Sequence, residues 1–220
     1  MTLEEYKQTA AETEDWAPGW DAIDARLEAL YPGQKPRHYG TQMHKRALFG
    51  GDQYLDGYSV YEAEDHLHVV TYGMSELYIN EESFGGEWSK WGYEMSIRLP
   101  KCAEDDFMWA IDMLANLARY TFTSKRFFEP FQYISGGGNP IKVGSESKLT
   151  GLLIVSDPAL EGTDTVHGRL EFMQMVGITQ AELDAVMADK SQAQPLLARM
   201  QEENPMYITD LSRTKSYSYS

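Results

Sequence analysis

The sequence predicts an α+β fold, with a mixed, largely antiparallel sheet flanked by helices. Segments of alternating or continuous apolar character follow one another in runs, as neighbouring strands of one sheet do. Segments with apolar residues three and four positions apart lie mainly at the ends of these runs. This order argues against a repeated βαβ unit, in which a helix would follow every strand.

Two helices are predicted before the first strand. Residues 1–15 read as an acidic helix, in which Thr2 and Glu5 have the spacing of a capping box. Few apolar residues lie on this helix, so we expect it to dock loosely. The second helix ends at a proline-glycine turn at 31–33, and an irregular connector over 35–43 follows. The apolar residues of the second helix, Trp20, Ile23, Leu27 and Leu30, recur at helical spacing.

The stretch 66–72, HLHVVTY, is predicted as the central strand because both of its faces are apolar. Gly73 can adopt backbone angles that other residues avoid, so the chain is expected to leave the sheet there in a compact turn. Residues 58–62 form the preceding strand, after a glycine turn at 50–52. We expect these two strands to pair as a hairpin.

A third strand and the longest helix follow a polar loop at 81–90. Apolar and polar residues alternate over 93–99, which predicts one core face and one face that meets water or a partner. The helix over 104–120 begins with three acidic residues, which favour the positive end of a helix. The apolar stripe that should pack on the sheet consists of Phe107, Ala110, Ile111, Leu114, Leu117 and Ala118.

Shorter elements are predicted in the second half of the chain. Residues 127–134 are aromatic and extended, and Pro130 cannot donate to a strand ladder, so an edge strand or bulge is expected. Thr179 and Glu182 form a second capping box, for a helix that ends near 189. The other predicted elements are a glycine loop at 136–140, strands at 152–155, 165–176 and 206–209, and a helix over 191–204.

Composition narrows the classes of function. The chain has 34 acidic and 19 basic side chains, and its formal charge of -15 repels nucleic acid and anionic membranes but attracts basic proteins. The single cysteine, Cys102, excludes an internal disulfide framework and fits a reducing compartment. No apolar run approaches about 18 residues, and the N-terminus lacks a signal-peptide pattern. We therefore expect a soluble cytoplasmic protein.

Motifs that carry enzymatic chemistry are incomplete in this sequence. Segments 57–60 and 73–76 begin like the G-x-S-x-G nucleophile elbow, but both lack its second glycine. His66 and His68 would share one face of a strand, as a metal pair requires, yet no third ligand has the spacing of a zinc site. Cys102 has no basic cluster that would lower its pKa. We therefore predict no enzymatic activity, metal site or cofactor.

Several motifs, in order, resemble the amino-terminal lobe of Suppressor of fused (Sufu) proteins. They are GWDAIDARLEALYPGQKP, LDGYSVYE, YGMSELY, GYEMSIRL, LARYTF, LLIVSDPAL, EFMQMVGIT and YITDLSR. Each motif alone is weak, but their common order is specific. The resemblance implies a Sufu-like domain over 19–213, preceded by an acidic, helical extension over 1–18 and followed by a frayed tail over 214–220.

The resemblance implies a non-enzymatic protein-binding module. Animal Sufu proteins hold an extended peptide of Gli-type transcription factors between two lobes, and this chain is similar to the first lobe. Short bacterial members look like immunity proteins that neutralise toxins. The family pattern implies that Tyr120 and Phe128 line the peptide groove, and it has an acidic groove residue where this chain has Gln132. The implied partner is a basic toxin domain or an extended peptide.

Two functions of other classes stay open. One is an uncharacterised metal-dependent enzyme that uses His66 and His68, and the other is a self-associating structural protein. If the chain binds a protein, residues 127–134 would offer an exposed strand edge for main-chain pairing, flanked by Tyr120 and Phe128. Nucleic acid and membranes are not expected as partners because of the acidic charge.

Overall fold

In this computed structural model, residues 1–40 and 54–218 are described. Within them, eight strands form one mixed sheet with helices on both faces, which confirms the predicted α+β class. The turn expected at 50–52 lies outside the described residues.

The helices are α1 (Leu3–Glu12), α2 (Pro18–Leu30), α3 (Glu104–Ser124), α4 (Gln180–Ala188) and α5 (Ala193–Glu203). The strands are β1 (Arg37–Gly40), β2 (Gly57–Glu62), β3 (His66–Tyr72), β4 (Trp88–Pro100), β5 (Tyr133–Ser135), β6 (Leu149–Ser156), β7 (Thr163–Thr165) and β8 (Gly168–Thr179). Short 3-10 turns occupy Glu81–Ser83 and Lys190–Gln192.

The strands follow the order β1-β2-β3-β4-β8-β6-β5, and β7 pairs with β8 beside this path. Only the pairing of β4 with β8 is parallel among the described strands. The hairpin of β2 with β3 is confirmed. β3 is an interior strand, but the middle position belongs to β4. β5 lies at one edge, and this edge position sets up the candidate site.

Both faces of β3 are buried, as its continuous apolar character predicts. Leu67 and Val69 join the core under α3, whereas Val70 and Tyr72 join a cluster on the opposite face. Gly73 ends the strand with a φ of +122°, in the region that favours glycine. A side chain there would also lie 2.8 Å from the backbone nitrogen of Asp56.

Helix α3 covers one face of the sheet and continues to Ser124, four residues past its predicted end at 120. Lys125 ends it in a left-handed conformation, and its N–H donates to the carbonyl of Thr121. The predicted stripe is buried except for Leu117, which is only partly covered. The core of the molecule therefore lies between α3 and strands β2, β3, β4, β6 and β8.

The second face of β4 was predicted to meet water or a partner, and this prediction is wrong. Glu94, Ser96 and Arg98 are fully buried. Two apolar clusters cover that face, one built on α2 and one on α4 and α5. Polar alternation in a strand normally indicates solvent, but here Glu94 accepts from Thr71, and Ser96 and Arg98 donate to Asp157, beneath the helices.

Three other segments differ from the sequence-based expectation. The connector over 35–43 contains β1, which pairs with β2. Residues 206–209 form no strand, because the side-chain amide of Gln174 donates to the carbonyls of Met206 and Tyr207 in place of a ladder. The single strand expected over 165–176 is the hairpin of β7 with β8.

Both ends of the described chain make specific contacts. The capping box of Thr2 and Glu5 is present, but α1 is not loosely docked, since Tyr6 is fully buried. The Tyr6 hydroxyl accepts the N–H of Asn80 at 2.7 Å and lies 3.0 Å from His167 Nε2. In the segment expected to fray, the N–H of Tyr217 donates to Glu182 Oε1 at 2.8 Å.

Candidate functional site

A long groove runs between α3 and the β5 edge. One part, of about 690 Å³, lies beside the segment 125–134, and a second part, of about 700 Å³, lies beside the loop 136–144. Leu117 and Ile134 line both parts, so the two are continuous. We call this groove the α3–β5 trough. Its volume is of the order found for small-ligand pockets, but its length along a strand edge suits an extended chain.

Tyr120 and Phe128 form one wall of the trough. Their rings are stacked, with centroids 6.0 Å apart and planes 13° apart. Phe128 is 6% exposed and also packs on the Tyr93 ring, so the core fixes its position. Tyr120 is 45% exposed and offers the accessible half of the pair. The pair thus presents an apolar surface that an incoming side chain could cover.

Gln132 lies on the same lining but is already engaged. Its side-chain amide donates to Glu129 Oε2 at 2.9 Å, and the N–H of Glu129 donates back to Gln132 Oε1 at 3.3 Å. The trough therefore contains a carboxylate at position 129, three residues before the position that is acidic in the family pattern. Glu129 was not predicted as a lining residue, although its position three residues before Gln132 could be read from the sequence.

The β5 edge supplies backbone groups to the trough. The carbonyl of Gln132 accepts from Ile154, and the N–H of Gly136 donates to Thr150, so alternate residues face β6. In an antiparallel ladder of this register, the backbone groups of Tyr133 and Ser135 point away from β6. No strand in the described part of the chain pairs with that side. The predicted edge is therefore present, although regular strand geometry is confined to Tyr133–Ser135.

Exposed aromatic residues accompany this edge. Phe127 is 56% exposed and Phe131 is 48% exposed. Phe131 also has a φ of +69°, unusual for a residue with a side chain, which interrupts the strand next to Pro130. Large apolar side chains that stay exposed beside a groove are typical of interaction surfaces.

His66 and His68 are both buried and hydrogen-bonded to other side chains of the protein. His68 is fully buried, and its Nε2 donates to Asp157 at 3.1 Å while its Nδ1 accepts from the Tyr31 hydroxyl at 3.0 Å. Burial lowers the pKa of His68 to about 4, so the ring is neutral near pH 7. His66 contacts Asp65 through Nδ1 at 2.6 Å. Both nitrogens of His68 are occupied, which argues against metal ligation by this pair.

Asp157 is the centre of the buried polar network on this face. Arg98 donates to both of its carboxylate oxygens at 2.8 Å, and the hydroxyl of Ser96 donates to it at 2.7 Å. Burial alone would raise the pKa of Asp157, but His68 and Arg98 lower it far below its usual range. Gln174 accepts from Arg98 and so joins the network. Along β8 it lies between Phe172 and Val176, which belong to the two apolar clusters on this face of the sheet.

Neither partial nucleophile motif opens to solvent. Ser59 lies 3.1 Å from His38 Nδ1 but is only 2% exposed inside β2. Ser75 is 1% exposed and donates to Glu94, whose buried carboxylate also accepts the N–H groups of Gly73 and Met74. These serines satisfy interior hydrogen bonds, so a substrate could not reach them without a rearrangement.

Cys102 does not have the environment of a reactive thiol. Burial and the neighbouring charge of Asp106 raise the pKa of its thiol. Within residues 1–40 and 54–218, no group of three or more His, Cys, Asp or Glu side chains is arranged to hold a metal ion. The same residues contain no helix long and apolar enough to cross a membrane.

Comparison with known sequences points to one family. The model of the family described as Suppressor of fused protein (SUFU) matches residues 51–214. Suppressor of fused homologs from Homo sapiens and Mus musculus are each 28% identical to this chain over 213 residues. That match covers 89% of this chain and 43% of each relative, so the chain spans less than half the length of these curated relatives.

Solved structures of the same family share the fold. A Sufu–Fu complex matches with a TM-score of 0.79 and 26% identity, covering 91% of this chain and 93% of the other. Drosophila Suppressor of Fused matches with a TM-score of 0.78 and 26% identity, covering 91% of this chain and 51% of that one. A SUFU homolog from Neisseria gonorrhoeae, at 17% identity and a TM-score of 0.62, shares the fold over 92% and 98% of the two chains.

Proposed function

The chain belongs to the Suppressor of fused family, and we propose that it is a protein-binding module that holds an extended partner segment in the α3–β5 trough. Family membership supports a protein-interaction role. A structure 26% identical to this chain is a Sufu–Fu complex, so a relative binds a protein. The partner of the present chain is proposed to be a protein as well.

One observation carries the proposal: the open β5 edge lies directly beside the stacked pair of Tyr120 and Phe128. An added strand would pair with the outward backbone groups of Tyr133 and Ser135. Its side chains on the trough side would then cover the exposed ring of Tyr120. Main-chain pairing supplies affinity in such complexes, and the aromatic wall supplies selectivity.

Within this class, we assign the chain the finer role of a cytoplasmic immunity protein that neutralises a toxin with a basic surface. The formal charge of -15 supports a basic partner, and a SUFU homolog from Neisseria gonorrhoeae shares the fold over nearly all of both chains. Opposite charges accelerate encounter, and salt screens them. The association rate should therefore fall as salt is raised from about 0.05 to 0.5 M, with a smaller change in dissociation. A salt-independent association rate would remove the basic partner.

The binding role is tested by changing the accessible half of the aromatic wall. The partner would be isolated from the native host with the tagged protein, purified, and titrated by calorimetry against wild type and Tyr120→Ala. If Tyr120 is an anchor, the variant should bind about 2 kcal/mol more weakly, because it loses a desolvated aromatic contact. Since Tyr120 is 45% exposed, its melting temperature should change little.

A matched control for Tyr120→Ala lies on the face of the sheet opposite α3. Met187 is 51% exposed on α4, away from the trough, so Met187→Ala removes a similarly exposed apolar side chain. This control should bind the partner like wild type. Equal affinity of wild type and Tyr120→Ala would remove the trough from the proposed function. Phe128→Ala is a poorer probe because its buried side chain also packs on Tyr93.

A further inference from the structure

The charge of the trough differs from the charge of the chain. The whole chain has 34 acidic and 19 basic side chains, but residues 113–128 contain three basic side chains and no acidic one. These three are Arg119, Lys125 and Arg126, and the last two line the trough. The end of the trough near α3's C-terminus is therefore a basic patch on an acidic protein.

The basic residues at this end are not neutralised by ion pairs in the described residues. The amino group of Lys125 lies 5.5 Å from the centre of the Trp91 ring, and Arg119 donates to the side chain of Asn116. None of the salt bridges in the described part of the chain involves Arg119, Lys125 or Arg126. Both lining cations are exposed, so they can meet a partner's charge.

Glu129, the acidic lining residue at this end, is already hydrogen-bonded to Gln132. The carboxylate of Glu129 accepts the side-chain amide of Gln132, and its N–H is bound to the same side chain. At the far end, Lys142 and Asp112 are both present and offset each other. The excess positive charge therefore lies at one end only, whereas the shared middle, Leu117 and Ile134, is apolar.

We propose that the segment bound in the α3–β5 trough carries acidic side chains at the end that meets Lys125 and Arg126, next to apolar side chains along the trough. This inference rests on the proposed function, because it assumes that a polypeptide adds to the β5 edge. Like-charged groups placed opposite each other would disfavour a segment with basic residues at this end. The local charge thus selects the segment, while the acidic remainder of the surface acts on the partner as a whole.

Three matched peptides test the local charge against the charge of the whole chain. Each has the core TVYVT, flanked on both sides by two Glu, two Gln or two Lys residues, and each is titrated into ¹⁵N-labelled protein. If the basic end of the trough determines which peptide binds, the acidic peptide should bind about tenfold more tightly than the basic one. The amides of Tyr133 and Ser135 should shift. The net charge of -15 alone predicts the opposite order.

A second experiment reverses the charges of Lys125 and Arg126. In Lys125→Glu/Arg126→Glu the basic peptide should become the tighter ligand. The control Lys35→Glu/Lys190→Glu changes the net charge equally at two exposed positions away from the trough, and it should keep the wild-type order. Melting temperatures would be measured for both variants, and neither change should disturb the fold because all four side chains are exposed.

The outcomes separate this inference from the proposed function. Equal affinities of the three peptides, with shifts at Tyr133 and Ser135, would overturn the charge preference and leave peptide binding in the trough intact. Tighter binding of the basic peptide by wild type would also overturn it. No binding by any peptide, or shifts confined to residues outside the trough, would count against both the inference and the site on which it rests.

Discussion

At the level of single residues, the polar side chains of β4 show what the sequence could not reveal. Alternation over 93–99 is the usual sign of a solvent-facing strand, yet Glu94 and Arg98 are fully buried. Their partners come from distant parts of the chain, such as Thr71 for Glu94 and Asp157 for Arg98. Because a pattern within one strand cannot identify partners on other elements, the network could not be predicted.

The buried ring of His68 makes stability depend on pH. Its pKa is lowered from 6.5 to about 4 in the folded chain, so between these pH values the unfolded chain binds more protons. Stability should therefore fall as the pH decreases from 6.5 to 4. The contribution of His68 amounts to roughly 2 kcal/mol between pH 7 and pH 5. Urea unfolding at both pH values measures it.

The variant His68→Gln isolates this contribution. It should be less stable than wild type at pH 7, because its flexible amide can donate and accept but does not reproduce the ring's hydrogen-bond geometry to Asp157 and Tyr31. It should also lose less additional stability on going to pH 5. His38, His66 and His167 have pKa values lowered in the same direction, so some pH dependence should remain. Identical losses in wild type and variant would show that His68 does not titrate as described.

At the level of elements, helix α3 was the best predicted part of the chain. Its three-four spacing identified the buried face, and only Leu117 is less covered than expected. Leu117 lines the trough instead of the closed core, a distinction that depends on where β5 lies. Pro130 correctly indicated an edge near β5, but the extent of the strand could not be read, because the left-handed Phe131 is not encoded by a recognisable motif.

The two leucines of α3 should therefore respond differently to truncation. Leu114 is fully buried, so Leu114→Ala should cost about 2–5 kcal/mol through lost burial and a cavity. Leu117 is partly exposed, so Leu117→Ala should cost distinctly less. Denaturant unfolding of both variants measures the difference. Equal losses, or a larger loss for Leu117, would contradict the packing of α3 described above.

At the level of the whole molecule, the family motifs predicted more than periodicity did. They placed Tyr120, Phe128 and Gln132 together, and the structure brings these residues onto one lining. The basic end at Lys125 and Arg126 was not predicted, because the net charge of the chain hides the local distribution of its charges. The effect of a local charge on binding can be judged only when the fold shows which charged residues share a surface.

The domain boundaries proposed from the sequence, with a core over 19–213, can be tested by limited proteolysis. Tyr6 anchors α1 by packing on Trp16 and Phe84. Wild type should therefore resist cleavage within α1, whereas Tyr6→Ala should be cut there rapidly and leave one stable core. The control Leu3→Ala changes an exposed residue of the same helix and should behave like wild type. Two fragments of comparable size from wild type would refute a single domain.

Amide hydrogen exchange can detect the addition of a partner strand at β5 residue by residue. Exchange would be followed by NMR for the free protein and for the complex with its purified partner. The outward amides of Tyr133 and Ser135 should exchange rapidly in the free protein and become at least about tenfold slower in the complex. The amide of Ile134, which faces β6, should change much less. Unchanged exchange at Tyr133 and Ser135 in a saturated complex would show that no strand adds to β5.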